Sequence, residues 1–337
     1  RFIDTNKREN YLFNSSINGI EESDLIFLIG TNPRYEATIL NARIRKSFLN
    51  NNTKVISLND LGDLTFPYES LDGKTQTLKD IFEDNNEISK KIIAADKPMI
   101  ILGESLLNLK SSKYFFNIIK EFLVSNDKIN DDWNSFNILS SDAATVGNFD
   151  LGLVNEDNNL LEDLQNHRFD IIYLVGQDNL NFDKKDEFII YQGSHGDKGA
   201  EMADIILPGS AYTEQDGFFT NLEGNLQKAY KASYPPGEAK EDWQIINELA
   251  EVMNNRKLFN DKDELESSMI NYLNLKKEKQ NSLVDQNKDI STDDFNNETL
   301  TVSVKDYYFS NVIARSSKTM VECNNSKLNL KPTGTEG

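Results

Sequence analysis

Residues 25–58, LIFLIGTNPRYEATILNARIRKSFLNNNTKVISL, decide the fold that the sequence predicts. The unbroken apolar run Leu25–Ile29 ends at a glycine and is typical of a strand buried on both faces of a parallel sheet. Thr31-Asn32-Pro33 then supplies a helix cap and a proline for the first helical turn. An amphipathic helix over 35–49 leads to a second strand at 54–58. The stretch therefore predicts a β–α–β unit with a right-handed crossover.

The same alternation of apolar strands and amphipathic helices recurs along the chain. Further strands are predicted at 98–102, 137–139, 170–175, 187–191 and 204–207, and further helices at 88–95, 114–124 and 241–254. The last three strands each end in Gly or Pro-Gly, which would align their turns along one edge of a sheet. The sequence therefore predicts an α/β protein with doubly wound, mostly parallel sheets.

Changes in composition divide the chain into four predicted segments. A first α/β lobe is predicted over 1–150 and a second over 151–255. A polar linker or insertion is predicted over 256–300, with 276–299 as its mobile part. The remainder, 301–337, regains aromatic residues and is predicted to be a C-terminal docking segment. Its candidate contacts are three adjacent aromatic side chains, which core packing also explains: Tyr307, Tyr308 and Phe309.

Composition excludes several classes of function. The net charge of −19 argues against nucleic-acid binding, because neutralising phosphates requires clustered Lys and Arg. A single cysteine, Cys323, excludes internal disulfides, cysteine-rich zinc sites and an iron–sulfur cluster ligated by this chain alone. With only two histidines, His167 and His195, a histidine-rich metal site is also excluded. No apolar run reaches the roughly 18–20 residues of a membrane helix. A start at Arg1 without an apolar signal core indicates a processed or truncated beginning.

Two stretches carry candidate ligand-binding features. Gly30-Thr31-Asn32-Pro33 opens a helix after a buried strand, as phosphate-binding turns do, although helix capping explains the same residues. Neither a dinucleotide fingerprint nor a phosphate-binding loop is complete there. The second stretch, 203–227, reads ADIILPGSAYTEQDGFFTNLEGNLQ and places polar residues after a strand, where ligands bind in α/β sheets. Its carboxylates, with few histidines in the chain, are a weak metal-site candidate: Glu214, Asp216 and Glu223.

A loop at another strand end contains Ser194, His195 and Asp197. A catalytic triad is not predicted from them, because triad members converge from separate segments and act beside a set of oxyanion donors. We interpret His195 as a residue that orients a ligand or ties down its own loop.

Several motifs of the sequence together resemble those of a known family. The pattern that resembles the molybdopterin oxidoreductase superfamily consists of GTNP at 30–33, ADIILP at 203–208, Glu214, Gly217, Asn221, Glu223-Gly224 and Gln227. Further motifs resemble the C-terminal half of the large iron–sulfur subunits of mitochondrial NADH:ubiquinone oxidoreductase, respiratory complex I. They are NYL at 10–12, GTNPRYEATILNARIRKSFL at 30–49, IIYQGSHGD at 189–197 and VKDYYF at 304–309. The resemblance covers roughly 10–250 and 301–323.

The resemblance implies sheets of the molybdopterin oxidoreductase type, like those of formate dehydrogenase and DMSO reductase, followed by a polar C-terminal tail. It implies no catalytic residue and no metal ligand in this chain, and a pterin cleft that has degenerated and holds no cofactor. The cleft positions are Gly30, Thr31, Asn32, Asp204, Glu214, Asn221, Glu223 and Asn225. Asn225 stands where the family's Glu-Gly-Arg carries a guanidinium suited to a phosphate.

The function implied by the resemblance is structural. The chain would belong to the matrix side of complex I at the mitochondrial inner membrane and would support electron transfer from NADH to ubiquinone. Iron–sulfur clusters are expected in a cluster-bearing N-terminal half, either a separate chain or a missing portion, and the other expected partners are matrix-arm subunits. One alternative is a fragment of an active molybdopterin-dependent oxidoreductase, which would bind pterin and molybdenum. Another is a nicotinamide-dependent dehydrogenase, for which the glycine fingerprint is incomplete.

Overall fold

The computed structural model describes residues 2–84, 86–154, 160–180, 182–281, 294–304 and 306–329. The chain forms two compact units, each assembled from separate segments. The first unit comprises Arg1–Val154, Phe219–Gln227 and Met269–Val304. The second unit comprises Asn155–Phe218, Lys228–Ser268 and Lys305–Gly337. The units thus alternate along the chain, whereas the four predicted segments follow one another in simple order.

The first unit is built on a sheet of five parallel strands in the order β3-β2-β1-β4-β5. The strands are β1 (Leu25–Ile29), β2 (Lys54–Ser57), β3 (Glu69–Ser70), β4 (Pro98–Gly103) and β5 (Phe136–Leu139). The order reverses between β1 and β4, which makes the carboxyl ends of these two strands the switch point where doubly wound proteins bind ligands. The predicted α/β fold class is confirmed, and each strand predicted in this part of the chain is present within one or two residues.

Within the described part of 1–154, seven α-helices accompany this sheet. They are α1 (Pro33–Glu36), α2 (Thr38–Asn51), α3 (Thr75–Glu83), α4 (Glu87–Ala94), α5 (Glu104–Leu107), α6 (Ser112–Ser125) and α7 (Thr145–Leu151). Short 3₁₀ turns lie at Arg8–Asn10 and Asn18–Glu21. The helix predicted over 35–49 is interrupted at Ala37, whose φ of −149° and ψ of 69° are not helical.

The core of the first unit follows from the two-residue period of its central strand. Leu25, Phe27 and Ile29 belong to the apolar cluster on one face, and Ile26 and Leu28 belong to the cluster on the other. All five side chains of β1 are buried. Each fully buried side chain of this size stabilises the fold by about 1.5–3 kcal/mol, so an apolar run without alternation specifies a strand covered on both faces.

The second unit contains a sheet of three parallel strands in the order β6-β7-β8. Its strands are β6 (Ile171–Val175), β7 (Phe188–Gly193) and β8 (Ile205–Pro208), and its helices include α8 (Leu160–Gln165), α9 (Lys198–Met202) and α10 (Asp242–Asn254). One face of the sheet carries the core of this unit, which is small: Leu164, Ile172, Leu174, Ile189 and Tyr191.

The remaining elements occupy the chain between and after these sheets. A two-stranded sheet, β9 (Gly217–Thr220) and β10 (Leu226–Ala229), contains two of the points where the chain passes from one unit to the other. The later helices are α11 (Lys262–Asn281), α12 (Val312–Ser316) and α13 (Lys318–Asn329), and a 3₁₀ turn lies at Tyr307–Phe309.

The polar linker or insertion predicted over 256–300 contains regular structure in its described part. It contains the 20-residue helix α11, because Lys, Glu and Leu favour a helix even where few side chains are buried. Farther on, Leu300 is buried and its N–H donates to the Gly73 carbonyl, so this segment packs on the first unit. Residues 282–293, predicted as mobile, lie outside the described residues.

Candidate functional site

The switch-point crevice, defined here as the space between the carboxyl ends of β1 and β4, is closed by the chain itself. A Cβ placed on Gly103 would lie 2.3 Å from the Gly30 carbonyl oxygen, so the two strand ends are in direct backbone contact. Gly30, at φ +69°, is covered in turn by α5, since a Cβ there would lie 2.5 Å from the Leu106 nitrogen. The Ser105 N–H donates to the Gly30 carbonyl at 3.2 Å. Backbone therefore fills the space that a ligand occupies in related folds.

The polar donors after β1 are also occupied. The Thr31 hydroxyl and the Asn32 N–H both donate to Oε2 of Glu36, at 2.7 and 2.5 Å. The Asn32 side chain caps α1 by accepting from the Arg34 N–H, and its amide donates to the Leu61 carbonyl at 3.1 Å. Thr31 and Asn32 are 1% and 6% exposed. An internal carboxylate thus takes the donors that a phosphate would need.

The turn between β9 and β10 brings together three of the predicted cleft residues, Asn221, Glu223 and Asn225. The Asn221 side chain accepts from the Asn225 N–H at 2.8 Å, and the Asn225 amide donates to Glu223 at 3.4 Å. Glu223 also accepts from the Ile17 N–H at 2.7 Å. All three side chains are therefore hydrogen-bonded to residues of the first unit itself.

Arg8, close to the start of the sequence, binds the backbone of this turn. Its guanidinium donates to the carbonyl of Gly224, which adopts φ +83°, and binds Asp150 through two hydrogen bonds of 2.9 and 2.7 Å. Burial alone would lower the pKa of Arg8, but the hydrogen bonds and charge of Asp150 raise it above its usual value. The Tyr11 hydroxyl, fully buried, donates to the same carboxylate at 2.8 Å. This arginine is committed to an internal network.

Asp204 and Glu214 belong to the second unit. Asp204 precedes β8 and therefore lies at the amino end of the sheet, opposite the edge where ligands bind. Its carboxylate accepts from the Ile189 N–H and pairs with Lys184, and these interactions, in that order, hold its pKa below the usual range. Glu214 accepts from the Ala211 N–H within its own turn at 2.9 Å.

The loop after β7 does not assemble a catalytic triad. Ser194 and His195 are hydrogen-bonded neighbours at 2.9 Å, but the Asp197 carboxylate binds Nε of Arg315 at 2.7 Å. Asp178 lies 3.7 Å from the same guanidinium and accepts from the Tyr191 hydroxyl at 2.7 Å. Burial first, and then Asp178, raise the pKa of that hydroxyl. The carboxyl edge of the second sheet is thus occupied by a cation from the chain's own C-terminal part.

These contacts test whether the chain fits the pterin cofactor that the resemblance implies. A pterin phosphate needs free N–H and cationic donors at the strand ends, and here Glu36 takes the donors after β1 and Asp150 takes Arg8. The residues present do not fit the group. Reasoning from sequence missed Glu36, Arg8, Leu106 and Arg315, and only Glu36, one turn after the helix cap, gave a local signal.

Two further properties concern the described residues only. Among them, no three His, Cys, Asp or Glu side chains lie close enough together to ligate a metal ion. Within the same ranges, none of the helices combines the length and the apolar character required to cross a bilayer.

Comparison with known proteins places the chain in a family. The molybdopterin oxidoreductase profile matches residues 2–252, and a profile for the C-terminal region of an NADH-ubiquinone oxidoreductase subunit matches 267–323. The chain is 38% identical over 333 residues to the mitochondrial NADH-ubiquinone oxidoreductase 78 kDa subunit of Candida albicans, covering 94% of this chain and 45% of that protein.

Two other relatives agree. The NADH-ubiquinone oxidoreductase 75 kDa subunit of Reclinomonas americana is 37% identical over 94% of this chain and 47% of its own length. An NADH-quinone oxidoreductase subunit of Rickettsia bellii is 37% identical over 98% of this chain and 48% of its own length. This chain therefore spans about half the length of the curated relatives it matches. It belongs to the molybdopterin oxidoreductase family, and the predicted resemblance to the large subunits of NADH-ubiquinone oxidoreductases is confirmed.

Proposed function

We propose that this chain is a structural, non-catalytic part of the matrix arm of respiratory complex I. The observation that carries the proposal is the closed switch-point crevice, in which Gly103 and α5 lie against Gly30. A family member whose ligand space is filled by its own backbone retains the fold without the cofactor. The names of its relatives support the choice of assembly, since they are subunits of NADH-ubiquinone or NADH-quinone oxidoreductases.

The chain supports electron transfer from NADH to ubiquinone without taking part in the chemistry. Its one cysteine, Cys323, is exposed, and one thiolate is too few to ligate an iron–sulfur cluster. The clusters reside in a cluster-bearing N-terminal half, which is a separate chain or a further portion of a longer product. The role of this chain is to pack on that region and exclude solvent, because burial and nearby charge set cluster potentials.

The proposed location is the matrix side of the mitochondrial inner membrane, as a peripheral part of the proton-translocating NADH:ubiquinone reductase. The proposed partners are the cluster-bearing half and the other matrix-arm subunits, and no cofactor binds to this chain. The mitochondrial relatives from Candida albicans and Neurospora crassa support this location.

The test is the purification of complex I through an affinity tag on this chain, followed by mass spectrometry, elemental analysis and NADH oxidation assays. We expect a cysteine-rich partner, iron but no stoichiometric molybdenum, and loss of assembled complex when the chain is depleted. Asn225→Ala should leave NADH:ubiquinone activity per assembled complex unchanged. Stoichiometric molybdenum with bound pterin would favour an active molybdopterin enzyme instead, and absence of the chain from complex I would overturn the proposal.

A further inference from the structure

One face of the sheet in the second unit exposes several apolar side chains. Residues paired across parallel strands point to the same face, so the register places Ile171 beside Phe188 and Ile190 beside Ile205. We define the open sheet face as four side chains on this side, with exposures of 65%, 47%, 42% and 45%: Ile171, Val175, Phe188 and Ile205. The opposite face carries the buried core of the unit.

A groove lies near the open sheet face on the same unit. Leu207 lies two residues beyond Ile205 on the same side of β8, and with Pro208 it lines a groove of about 620 Å³ against α10. The α10 side of the groove carries Ile245, Leu249 and Val252, and the charged residues that also line the groove are Glu238, Lys240 and Glu248. The register places Gln192 between Val175 and Leu207 on this side, where it is fully buried and donates to Asp242 at 2.7 Å. The apolar surface therefore consists of the open sheet face and, beyond Gln192, the groove against α10. Parallel sheets are normally covered on both faces, and an apolar patch of this extent marks an interaction surface.

Charge indicates the kind of partner. The stretch 155–218, which forms this sheet, has 14 Asp and Glu residues against four Lys and Arg residues, a formal charge of −10 out of −19 for the chain. Asp170 and Asp186, just before β6 and β7, are exposed and form no ion pair with the described residues. The negative charge of this stretch would attract a partner rich in Lys and Arg. A second copy of the chain would instead bring like charges together.

We propose that the open sheet face is the docking site for an amphipathic α-helix of a partner polypeptide, with Lys and Arg residues flanking its apolar stripe. A helix is the element that covers a parallel sheet, because its apolar stripe matches the sheet face and its backbone hydrogen bonds are satisfied internally. The basic flanks would meet Asp170 and Asp186 at the amino ends of the strands. The inference rests on the proposed function in one respect, which is that the partner polypeptide belongs to the same complex I assembly.

The first test is photo-crosslinking in the native assembly, with a benzophenone amino acid in place of Phe188 and, as a matched control, in place of Val124, which is 54% exposed on α6 of the first unit. We expect the Phe188 position to crosslink to a basic helical segment of another polypeptide and the control to give a different product. A crosslink to this chain itself or to a second copy, or none at all, would overturn the inference while leaving the proposed function intact. Failure of the unsubstituted chain to enter complex I would instead contradict the proposed function.

The second test uses the purified full chain and a synthetic Leu/Lys amphipathic helix of about 18 residues, which is about 27 Å long. Because one aromatic anchor can dominate such an interface, Phe188→Glu should weaken binding at least about tenfold, and Val124→Glu should not. Added salt should weaken binding, and the matching Leu/Glu peptide should not bind. Equal binding by the two variants, or binding of the acidic peptide, would overturn the inference. Circular dichroism of both variants would establish that they remain folded.

Discussion

At the residue scale, Gly103 shows how one missing side chain closes the crevice. Its φ of −95° can be adopted by any residue, so backbone strain does not require glycine at this position. Glycine is required there because the Gly30 carbonyl lies too close for a side chain. A methyl group there would overlap the Gly30 oxygen and Thr31 Cβ, at 2.3 and 2.4 Å. Both neighbours belong to a buried strand end, so neither can move without disturbing the sheet.

We expect Gly103→Ala to destabilise the first unit by about 1–3 kcal/mol, the usual cost of overpacking a filled core. The measurement is urea unfolding followed by the fluorescence of Trp133, in the first unit, in a Trp243→Phe background, with a lower midpoint for the variant. Gly196→Ala is the matched control, since a Cβ on Gly196 meets nothing within 4 Å, and it should change stability by less than about 0.5 kcal/mol. Equal midpoints for the two variants would contradict the closed crevice.

Glu187, just before β7, makes the second unit sensitive to acid. Its carboxylate accepts from the Lys185 N–H at 2.7 Å and contacts Nδ1 of His167 at 2.5 Å, and its side chain is 3% exposed. The backbone N–H groups of Lys185 and Glu187, followed by His167, lower its pKa from the ordinary 4.5 to about 2. A carboxyl group with a lowered folded-state pKa stabilises the fold above the unfolded-state pKa and loses that contribution as pH falls.

We therefore expect Glu187→Gln to lower the melting temperature at pH 7, and the difference from the unsubstituted chain to shrink between pH 4.5 and about 2. Thermal melts across this range, followed by Trp243 fluorescence in a Trp133→Phe background, measure the effect in the second unit. Glu121→Gln, at an exposed position on α6, is the control and should have little effect throughout. A difference that does not vary with pH would contradict the assignment.

At the element scale, Arg315 ties α12 to the loop after β7. Its guanidinium contacts Asp197 at 2.7 Å and Asp178 at 3.7 Å, and it donates to the Phe309 carbonyl at 3.2 Å. One side chain thus joins the turn before α12 to the carboxyl edge of the sheet. Since α12 has only five residues and none is buried, this contact contributes to fixing its position on the sheet.

Arg315→Gln should therefore release the segment 307–317, while Arg315→Lys should release it less, because lysine keeps the charge without the planar fork. Hydrogen bonds to charged groups contribute about 1.5–3 kcal/mol, so we expect amide exchange in this segment to be at least about tenfold faster. The readout is hydrogen exchange measured by mass spectrometry. The control is Lys318→Gln, at the first residue of α13. Unchanged exchange in Arg315→Gln would show that other contacts hold the segment.

Strands were easier to predict than helix faces. The strands at 25–29, 98–102 and 187–191 follow from apolar runs with glycine or proline at their ends, signals that are local. In α10 the helical period places five residues on one apolar face, Trp243, Ile246, Leu249, Ala250 and Met253. Ile246 and Met253 are nevertheless 39% and 72% exposed, while Ile245, outside this set, is 9% exposed. The side of α10 that packs is decided by its neighbours in the fold.

At the scale of the whole molecule, the two units differ greatly in the size of their cores. The first unit has apolar clusters of 24 and 13 buried residues, and the main cluster of the second has five. Each unit also contains one of the two tryptophans, Trp133 in the first and Trp243 in the second. Their indole N–H groups donate to the Pro98 carbonyl at 2.7 Å and to Glu241 at 3.1 Å, so each reports on its own unit.

We expect urea unfolding in two separate transitions, with Trp243 reporting a midpoint lower than that of Trp133 by about 1 M, because the smaller core buries less apolar surface. The variants Trp133→Phe and Trp243→Phe leave one fluorophore each and allow the transitions to be followed individually. Circular dichroism of both variants should show both steps. Coincident transitions at every wavelength would indicate that the units unfold cooperatively and would contradict the prediction.

The sequence by itself determined the α/β class, the positions of most strands along the chain and the family. Apolar runs of strand length, glycine at strand ends and helix caps depend on neighbours in the chain, and Leu25–Ile29 with Gly30 carries these signals without tertiary information. The tertiary structure alone decided that the crevice is closed. Leu106 against Gly30, Arg8 on Asp150 and Arg315 on Asp197 join residues separated by 76, 142 and 118 positions. Such pairs form only when the sheets bring distant segments together, so no local pattern specifies them.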